Sequence, residues 1–182
     1  MKEIGVLLGR FSPFHKGHQA QVDLMIKERG LENCMIIVGS ADSYNHRTPF
    51  SYEQRREIIK QIYPEIRIVP LPDINPELVY FDGSTNDRWL AEIKKLENSM
   101  AVRFVFYGGS KEDLAILATK FRTKIAVSRY GDPMIRSATE VRKALENDEY
   151  ENLKQLLYPR TIPTIIKYYD KFKKTQLDQI VE

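Results

Sequence analysis

Short apolar runs alternate with longer stretches of helical periodicity along this chain of 182 residues. The strand candidates are IGVLLG (4–9), CMIIVG (34–39), IRIVPL (66–71), VRFVFYG (102–108) and KIAVSRY (124–130). The first two are apolar almost throughout, which is typical of central strands that are covered on both faces. The alternation therefore predicts a parallel sheet with helices packed against it.

Helical patterns fill the intervals between these runs and continue beyond the last one. They lie at about 17–28, 52–63, 86–97, 111–119, 139–146 and 162–173. With right-handed crossovers, the expected α/β fold is a Rossmann-like parallel sheet of five strands in the order 3-2-1-4-5, with helices on both faces. We expect residues 1–182 to form a single domain. Pro159 and Pro163 bracket a turn, so residues from about 148 to 182 should be a small C-terminal helical part of it.

Charge and cysteine content restrict the class of protein. The chain has 28 basic and 25 acidic residues, a formal net charge of +3, and the basic residues are scattered, so we expect neither a nucleic-acid nor a membrane partner. No apolar stretch reaches the roughly 18–20 residues that a membrane span needs. The start MKEIGVLLGR is too short in its apolar part for a signal peptide, which predicts a cytoplasmic protein. The one cysteine, Cys34, cannot form an internal disulfide, and its apolar neighbours favour a buried thiol.

Two of the three histidines lie in the segment GRFSPFHKGH (9–18), directly after the first strand. In a doubly wound sheet the crevice opens at the carboxyl ends of the central strands. This segment and GGSKED (108–113) are therefore expected to face one ligand. A helix start is a ready anion site, and residues three apart share a helix face. His15 and His18, with Arg10 beside them, are predicted to face an anion.

Two other interpretations of the histidine pair stay open from the residues alone. His15 can cap the helix while His18 packs against the sheet. The pair could instead bind zinc together with His46. Arg10 and Arg47 would repel a cation, and no cysteine or carboxylate nearby completes a zinc ligand set.

The segment GRFSPFHKGH resembles the H-x-G-H signature of the nucleotidylyltransferase superfamily. Its longer form is similar to the GRFQPFHxGH of archaeal-type nicotinamide mononucleotide (NMN) adenylyltransferases, including those fused to a Nudix domain. Ser12 stands where that family usually has Gln, and no Nudix signature follows in this sequence.

Residues 39–59 are similar to the segment of the same family that ends in N-P-F-x-x-x-E-R. The matching residues are Arg47, Pro49, Phe50 and Arg55. Gln54 replaces the usual Glu of this segment. Read locally, Ser51 and Gln54 form the two halves of a capping box.

Two later segments also resemble this family. STNDRWLAEI (84–93) contains Trp89, the only tryptophan, and is similar to an N-D-x-x-W-L stretch. IRSATEVRKAL (135–145) is similar to the superfamily's I-S-S-T-x-x-R block. Ser137, Thr139 and Arg142 match that block, whereas Arg136 and Ala138 depart from it. Ser137 with Glu140 is also a capping box, worth about 1 kcal/mol without any further role.

The resemblance implies an enzyme that makes NAD from NMN and ATP and releases pyrophosphate, by direct attack of the NMN phosphate on the α-phosphate of ATP. It implies Mg²⁺ held mainly through the phosphates, with no metal ligand from the protein. The implied catalytic residues are Arg10, His15, His18 and Arg142. The implied ATP contacts are Gly9, Arg10, Phe11, His18, Gly108, Gly109, Ser110, Ser137, Thr139 and Arg142. The implied NMN contacts are Ser40, Asp42, Arg47, Asn86 and Trp89.

Other members of the superfamily also carry H-x-G-H, so the acceptor has alternatives. A phosphopantetheine adenylyltransferase, a cytidylyltransferase and a nucleotide-binding regulator without turnover are the competing hypotheses. The sequence does not separate NMN from nicotinic acid mononucleotide as the acceptor. It is compatible with a homo-oligomer and does not define the oligomeric state.

Overall fold

A five-stranded parallel sheet forms the centre of the protein. The computed structural model describes residues 1–73, 84–126 and 137–181. Within these ranges the strands are β1 (Glu3–Gly9), β2 (Cys34–Gly39), β3 (Arg67–Leu71), β4 (Arg103–Gly108) and β5 (Arg122–Ile125). Their order is β3-β2-β1-β4-β5, and every adjacent pair is parallel. The predicted Rossmann-like α/β fold and strand order are confirmed.

Helices follow the strands and also extend the chain beyond the sheet. In the described ranges they are α1 (Lys16–Arg29), α2 (Tyr52–Lys60), α3 (Ser84–Ser99), α4 (Lys111–Leu114), α5 (Ala138–Glu146), α6 (Tyr150–Leu156) and α7 (Ile162–Val181). Short 3₁₀ turns lie at Leu31–Asn33, Leu117–Thr119 and Pro159–Thr161. None of the described helices is both long and apolar enough to cross a membrane.

Side chains of the central strands point alternately into two cores, because successive strand residues face opposite sides of the sheet. In β1, Leu7 enters the core formed with α1, α2, α5, α6 and α7, and Val6 enters the core formed with α3 and α4. In β2, Ile36 and Ile37 divide between the cores in the same way. Helices therefore cover both faces, which explains why the central strands are apolar almost throughout.

The two predicted serine capping boxes are confirmed. Ser51 Oγ accepts a hydrogen bond from Gln54 N at 3.3 Å, and Gln54 Oε1 accepts one from Ser51 N at 2.9 Å. Ser137 Oγ accepts from Glu140 N at 3.3 Å, and Glu140 Oε2 accepts from Ser137 N at 2.8 Å. These bonds satisfy N–H groups that have no partner inside the helix and so fix where α2 and α5 begin.

Several predicted elements differ from the observed ones. The helix expected at 111–119 is only the four-residue α4 and a 3₁₀ turn. The first strand, expected at 4–9, begins one residue earlier, at Glu3. The strand expected at 66–71 begins at Arg67, and the helix expected at 52–63 ends at Lys60. The strand expected at 124–130 begins at Arg122, and residues 127–130 lie outside the described residues. Helix α6 lies within the part expected to be helical from about 148, but the sequence patterns do not predict it as a separate helix. The division into one domain with a helical part from about 148 stays a prediction.

Cys34 lies in the core, as its apolar neighbours predicted. Its Sγ is 3.2 Å from the carbonyl oxygen of Gly30, and the side chain is buried. Burial raises the pKa of the Cys34 thiol to about 11, so the thiol is protonated at neutral pH. The residue is a packing group in this fold.

Gly5 allows α1 to pack closely on β1, and its substitution gives a test of that contact. A Cβ at position 5 would lie 2.7 Å from Met25 Cγ and 2.8 Å from Arg29 Cδ. Met25 is fully buried, so its side chain cannot move without displacing its neighbours. We expect Gly5→Ala to lower the free energy of unfolding by ~1–3 kcal/mol, measured by urea denaturation.

Gly39→Ala is the matched control in the neighbouring strand. A Cβ there meets no atom closer than 3.8 Å, an ordinary contact distance. Its free energy of unfolding should therefore change by no more than ~0.5 kcal/mol. Equal losses for the two variants would contradict close packing at Gly5 as the cause.

Candidate active site

A cavity of about 650 Å³ opens at the carboxyl ends of β1 and β4. Its walls come from the segment after β1, the start of α1, the segment after β4 and the start of α5. The predicted residues that line it are Gly9, Arg10, Phe11, His15, His18, Arg47, Gly108, Gly109, Ser137, Thr139 and Arg142. The fold thus brings together in one cavity residues that lie more than 120 positions apart in the sequence. One direct link between such residues is the hydrogen bond that Arg142 donates to the carbonyl oxygen of Ser12.

His15 and His18 form a capping box at the start of α1. The Nδ1 atom of His15 accepts a hydrogen bond from Gly17 N at 3.1 Å. The Nδ1 atom of His18 accepts from His15 N at 3.4 Å. The two rings are stacked, with centroids 3.7 Å apart. His15 is thus a cap, as the local interpretation predicted, and it also lines the cavity.

These capping bonds assign the protons of the two imidazoles. An Nδ1 atom that accepts a hydrogen bond carries no proton, so the proton of each neutral ring lies on Nε2. Each ring therefore has an N–H donor on the edge opposite its cap. The cap and the anion-binding interpretation are compatible, because they use different nitrogen atoms.

His18 is held neutral by its surroundings. Burial lowers the pKa of His18 well below the usual 6.5, and the nearby His15 lowers it further. Its ring packs edge-on against Phe11, with centroids 4.8 Å apart, and lies 5.4 Å from Phe14. Phe11 has a φ of +51°, and a Cβ at Gly9 would lie 3.0 Å from the Phe11 ring. The glycine therefore makes room for the phenylalanine that supports His18.

Three arginines line the same cavity. Arg142 donates to the carbonyl oxygen of Ser12 at 2.7 Å and to Thr139 Oγ1 at 3.1 Å. Burial lowers the pKa of Arg142, and the positive charges of Arg10 and Arg47 lower it further. Among the described residues, none of these three arginines forms an ion pair with a carboxylate. Such a concentration of positive charge at two helix starts suits a ligand with several negative charges.

The structure gives Ser12 a main-chain role. Its carbonyl oxygen receives the Arg142 bond, while its side chain is only 2% exposed and Oγ has no hydrogen-bond partner within the described residues. Nothing in the structure explains why serine rather than glutamine stands here.

The segment after β4 supplies glycine backbone at the cavity wall. Gly108 and Gly109 line the cavity, and a Cβ at Gly108 would lie 2.7 Å from Leu114 Cγ. Ser110, predicted to contact ATP, is buried and does not line the cavity. Its hydroxyl oxygen caps α4 by accepting from Asp113 N at 3.1 Å.

Four of the five predicted NMN residues lie outside the cavity lining. Ser40 Oγ donates to Asp73 at 2.9 Å, and Asp42 accepts from Asp73 N at 2.8 Å, so both hold the segment after β2 against the end of β3. Asn86 is exposed on α3. Trp89 is half-buried and packs against the core beneath α3 and α4, so it anchors the helix while part of its side chain stays accessible.

The three histidines do not gather into a metal site in the described part of the chain. His46 lies outside the cavity lining, with its ring edge-on to Phe172 at 5.6 Å. Residues 1–73, 84–126 and 137–181 contain no group of three or more His, Cys, Asp or Glu side chains placed to hold a metal ion.

Arg55 is the site-related residue whose role the sequence did not reveal. In the sequence, Arg55 is only one of the residues that match the family segment. In the structure it is fully buried and donates a hydrogen bond to the main-chain carbonyl of Arg10. The available signal was its place on α2. Arg55, Ile58 and Ile59 share the buried helix face, where an arginine is unexpected.

The chain is similar to several known proteins. A profile of the family described as Cytidylyltransferase-like matches residues 6–122, well over half of the chain. The nicotinamide-nucleotide adenylyltransferase of Thermococcus onnurineus is 29% identical over 181 residues, which cover 92% of this chain and 83% of the relative. The protein of the same name from Pyrococcus furiosus is 28% identical, over 90% of this chain and 82% of its own length.

A solved structure from Francisella tularensis has the same fold. It is described as a bifunctional NMN adenylyltransferase/ADP ribose pyrophosphatase complexed with AMP and a Mn ion. The identity is 26% and the TM-score 0.64 over 93% of this chain. This chain covers 50% of the length of that protein.

This chain belongs to the Cytidylyltransferase-like family. The resemblance to nucleotidylyltransferases, drawn from the H-x-G-H segment, is therefore confirmed.

The lowered pKa of His18 predicts a loss of stability in acid. Below about pH 6.5 the unfolded chain binds a proton at this histidine, while the folded chain does not. The free energy of unfolding should therefore be highest above that pH and should fall until the lower folded pKa is reached. We expect His18→Asn to weaken this pH dependence, measured by urea denaturation on both sides of about pH 6.5.

Asparagine is the suitable replacement because its Oδ1 lies near the position of Nδ1 and can keep the cap. Nitrogen NMR of the unaltered protein supplies the independent check, and it should show His15 and His18 with the proton on Nε2 at neutral pH. An unchanged pH dependence in His18→Asn, or a proton on Nδ1, would contradict the assignment.

Proposed function

We propose that this chain is a nicotinamide-nucleotide adenylyltransferase, which makes NAD from NMN and ATP and releases pyrophosphate. The observation that carries the proposal is the cavity where the H-x-G-H pair and three arginines meet. The archaeal relatives of that name match 90% or more of this chain and support NMN as the acceptor.

The two histidines act on the α-phosphate of ATP in this proposal. Their Nε2–H groups donate hydrogen bonds to its oxygens, and these bonds strengthen as negative charge builds during attack by the NMN phosphate. Both donors are fixed by the α1 cap, so little reorganisation is needed at the moment of reaction. Phosphoryl chemistry of this kind depends on positioning and charge neutralisation, so the protein needs no nucleophile of its own.

The arginines and the α5 start hold the remaining phosphates. Arg10 and Arg142 neutralise the β- and γ-phosphates, and the pyrophosphate formed from them leaves along the same groups. Ser137 and Thr139 stand at the α5 start, where the helix dipole favours an anion. On the other side of the cavity, the Gly108–Gly109 backbone lets adenosine approach the end of β4 closely.

We assign the acceptor's phosphate to Arg47 and its pyridine ring to Trp89. Arg47 is exposed and lines the cavity, so its charge is available to the NMN phosphate. The accessible part of the Trp89 indole offers a face on which the positively charged pyridinium can stack. Asn86 lies on the same helix as Trp89. Ser40 and Asp42 contribute indirectly, by holding the segment that carries Arg47.

We propose that a divalent cation, Mg²⁺, enters bound to the phosphates of ATP. The cavity lining contains three arginines and, in the described residues, no carboxylate cluster, so these side chains do not fit a protein-held metal site. When bound to ATP the cation neutralises phosphate charge.

Pyrophosphate release tests the proposed function directly. The purified protein should release pyrophosphate from ATP and Mg²⁺ with NMN, and less with phosphopantetheine or glycerol phosphate. Nicotinic acid mononucleotide, assayed beside NMN, measures the preference between the two pyridine nucleotides. Turnover with phosphopantetheine alone would assign the chain to another adenylyltransferase. ATP binding without turnover on any acceptor would favour a nucleotide-binding regulator.

Two His18 variants separate the donor from the cap in the same assay. His18→Asn keeps an acceptor for the cap but has no atom in the place of Nε2, so kcat should fall ~10²–10³-fold. His18→Gln places an amide N–H near that position and should retain more activity. Equal activities in the two folded variants would remove His18 from the reaction.

Trp89→Phe tests the stacking platform. The phenyl ring keeps much of the packing against the core but offers a smaller face to a pyridinium, so the KM for NMN should rise more than the KM for ATP. Steady-state kinetics with each substrate varied in turn measures both. Equal increases in the two KM values would assign Trp89 to the core alone.

A further inference from the structure

Arg55 is a fully buried cation that ties together three parts of the main chain. Its Nη1 donates to the carbonyl oxygens of Arg10 at 2.8 Å and Gly39 at 2.9 Å. Its Nη2 donates to Ser40 O at 2.8 Å, and its Nε donates to Ser51 O at 3.3 Å. The side chain has no exposed surface.

Burying this guanidinium is costly, so its four bonds require a reason. A charge removed from water destabilises the fold unless it is paired and hydrogen-bonded. In the described residues Arg55 forms no ion pair, although the more distant carboxylates of Asp73 and Asp42 favour its charge. Burial lowers the pKa of Arg55 to about 10, which leaves the side chain charged at neutral pH. An apolar residue beside Ile58 and Ile59 would fill the core without this cost.

The carbonyl groups that Arg55 holds belong to segments that carry cavity arginines. Arg10 is the first residue after β1, and its side chain lines the cavity. Ser40 follows β2 with a φ of +47° and begins the segment that carries Arg47. One planar group therefore sets the distance between the two places where the chain leaves the sheet toward the cavity.

We propose that Arg55 is a positioning residue for the two substrate phosphates, because it fixes the main chain at Arg10 and Ser40 so that Arg10 faces the ATP phosphates and Arg47 faces the NMN phosphate in one cavity. This inference rests on the proposed function. Arg55 does not touch the reacting groups and acts through Arg10 and Arg47.

The guanidinium geometry distinguishes this role from simple charge. Lysine carries the same charge, but its single ammonium nitrogen cannot reproduce the planar fork that reaches four carbonyl oxygens. If position 55 contributed only a positive field beneath the cavity, Arg55→Lys would bind ATP as the unaltered protein does. If the fork positions the main chain, Arg55→Lys loses affinity although the charge remains.

The test compares Arg55→Lys with Arg56→Lys. Arg56 is the next residue on the same helix and is exposed, so its replacement matches the chemical change without touching the main-chain bonds. Calorimetric titration with Mg²⁺ and ATP, together with pyrophosphate release, should show an affinity and a kcat/KM about 10-fold or more lower for Arg55→Lys. Arg56→Lys should match the unaltered protein.

A double-mutant cycle with Arg10→Ala shows whether the effect passes through Arg10. Once the Arg10 side chain is absent, Arg55→Lys should reduce ATP affinity much less than it does alone. Full additivity, or a lowered melting temperature with unchanged ATP affinity, would overturn the proposal. Arg55→Gln is the second variant, and failure of both variants to fold by circular dichroism would also overturn it, since Arg55 would then serve the core alone.

The calorimetric measurement separates this proposal from the proposed function. If the unaltered protein binds ATP but releases no pyrophosphate with any acceptor, the proposed function fails, and the affinities still decide the role of Arg55. If the unaltered protein does not bind ATP, both proposals fail.

Discussion

The hydrogen bonds between the main chain of α1 and the two histidine rings are the interactions on which the site depends. Gly17 N donates to His15 Nδ1, and His15 N donates to His18 Nδ1. One pair of bonds thereby starts the helix, stacks the rings and selects which nitrogen carries each proton. The two rings satisfy main-chain N–H groups that the helix start would otherwise leave without partners, and each ring keeps its own N–H donor on Nε2.

The arginines around this cap form a second constraint, and this one destabilises the folded state. Arg10, Arg47 and Arg142 raise the local positive potential, and their mutual repulsion works against the folded state. Main-chain carbonyl groups hold the cavity in place instead of carboxylates. The carbonyl of Ser12 holds Arg142, and the carbonyl of Arg10 is held by Arg55. Because a carboxylate would compete with phosphate for these cations, main-chain acceptors keep the arginine charges available to a ligand.

The sequence predicted the fold well because the sheet is covered on both faces. That arrangement makes β1 and β2 apolar almost throughout, and apolar runs separated by helical periodicity are compatible with few other folds. Prediction failed where short elements depend on tertiary contacts. Helix α4 stops after four residues, because the chain turns there to pack Leu117 into the core beneath α3 and α4. Neither turn formation nor packing of this kind leaves a periodic signal.

Part of the cavity lining was predicted from the sequence. The H-x-G-H segment located the histidines, but it could not show that capping and ligand binding use different nitrogens of the same rings. The family resemblance implies NMN contacts for Ser40 and Asp42, and in the folded chain both residues also hold Asp73. The role of Arg55 was not predicted from the sequence, because the inward face of a helix usually carries apolar residues and a buried arginine departs from that rule. Its role depends on carbonyl groups that β1 and β2 bring together. No local sequence pattern indicates such a contact.

The wide sequence separation of the cavity walls has a consequence for synthesis. Arg142 bonds to Ser12 across 130 positions, and Phe172 of α7 packs against Tyr44 and His46 in the segment that carries Arg47. A chain still emerging from the ribosome can complete β1 to β4 while lacking Arg142 and the aromatic support of that segment. The cavity is therefore completed late, when α5 brings Arg142 to its wall and α7 brings Phe172 against the segment that carries Arg47.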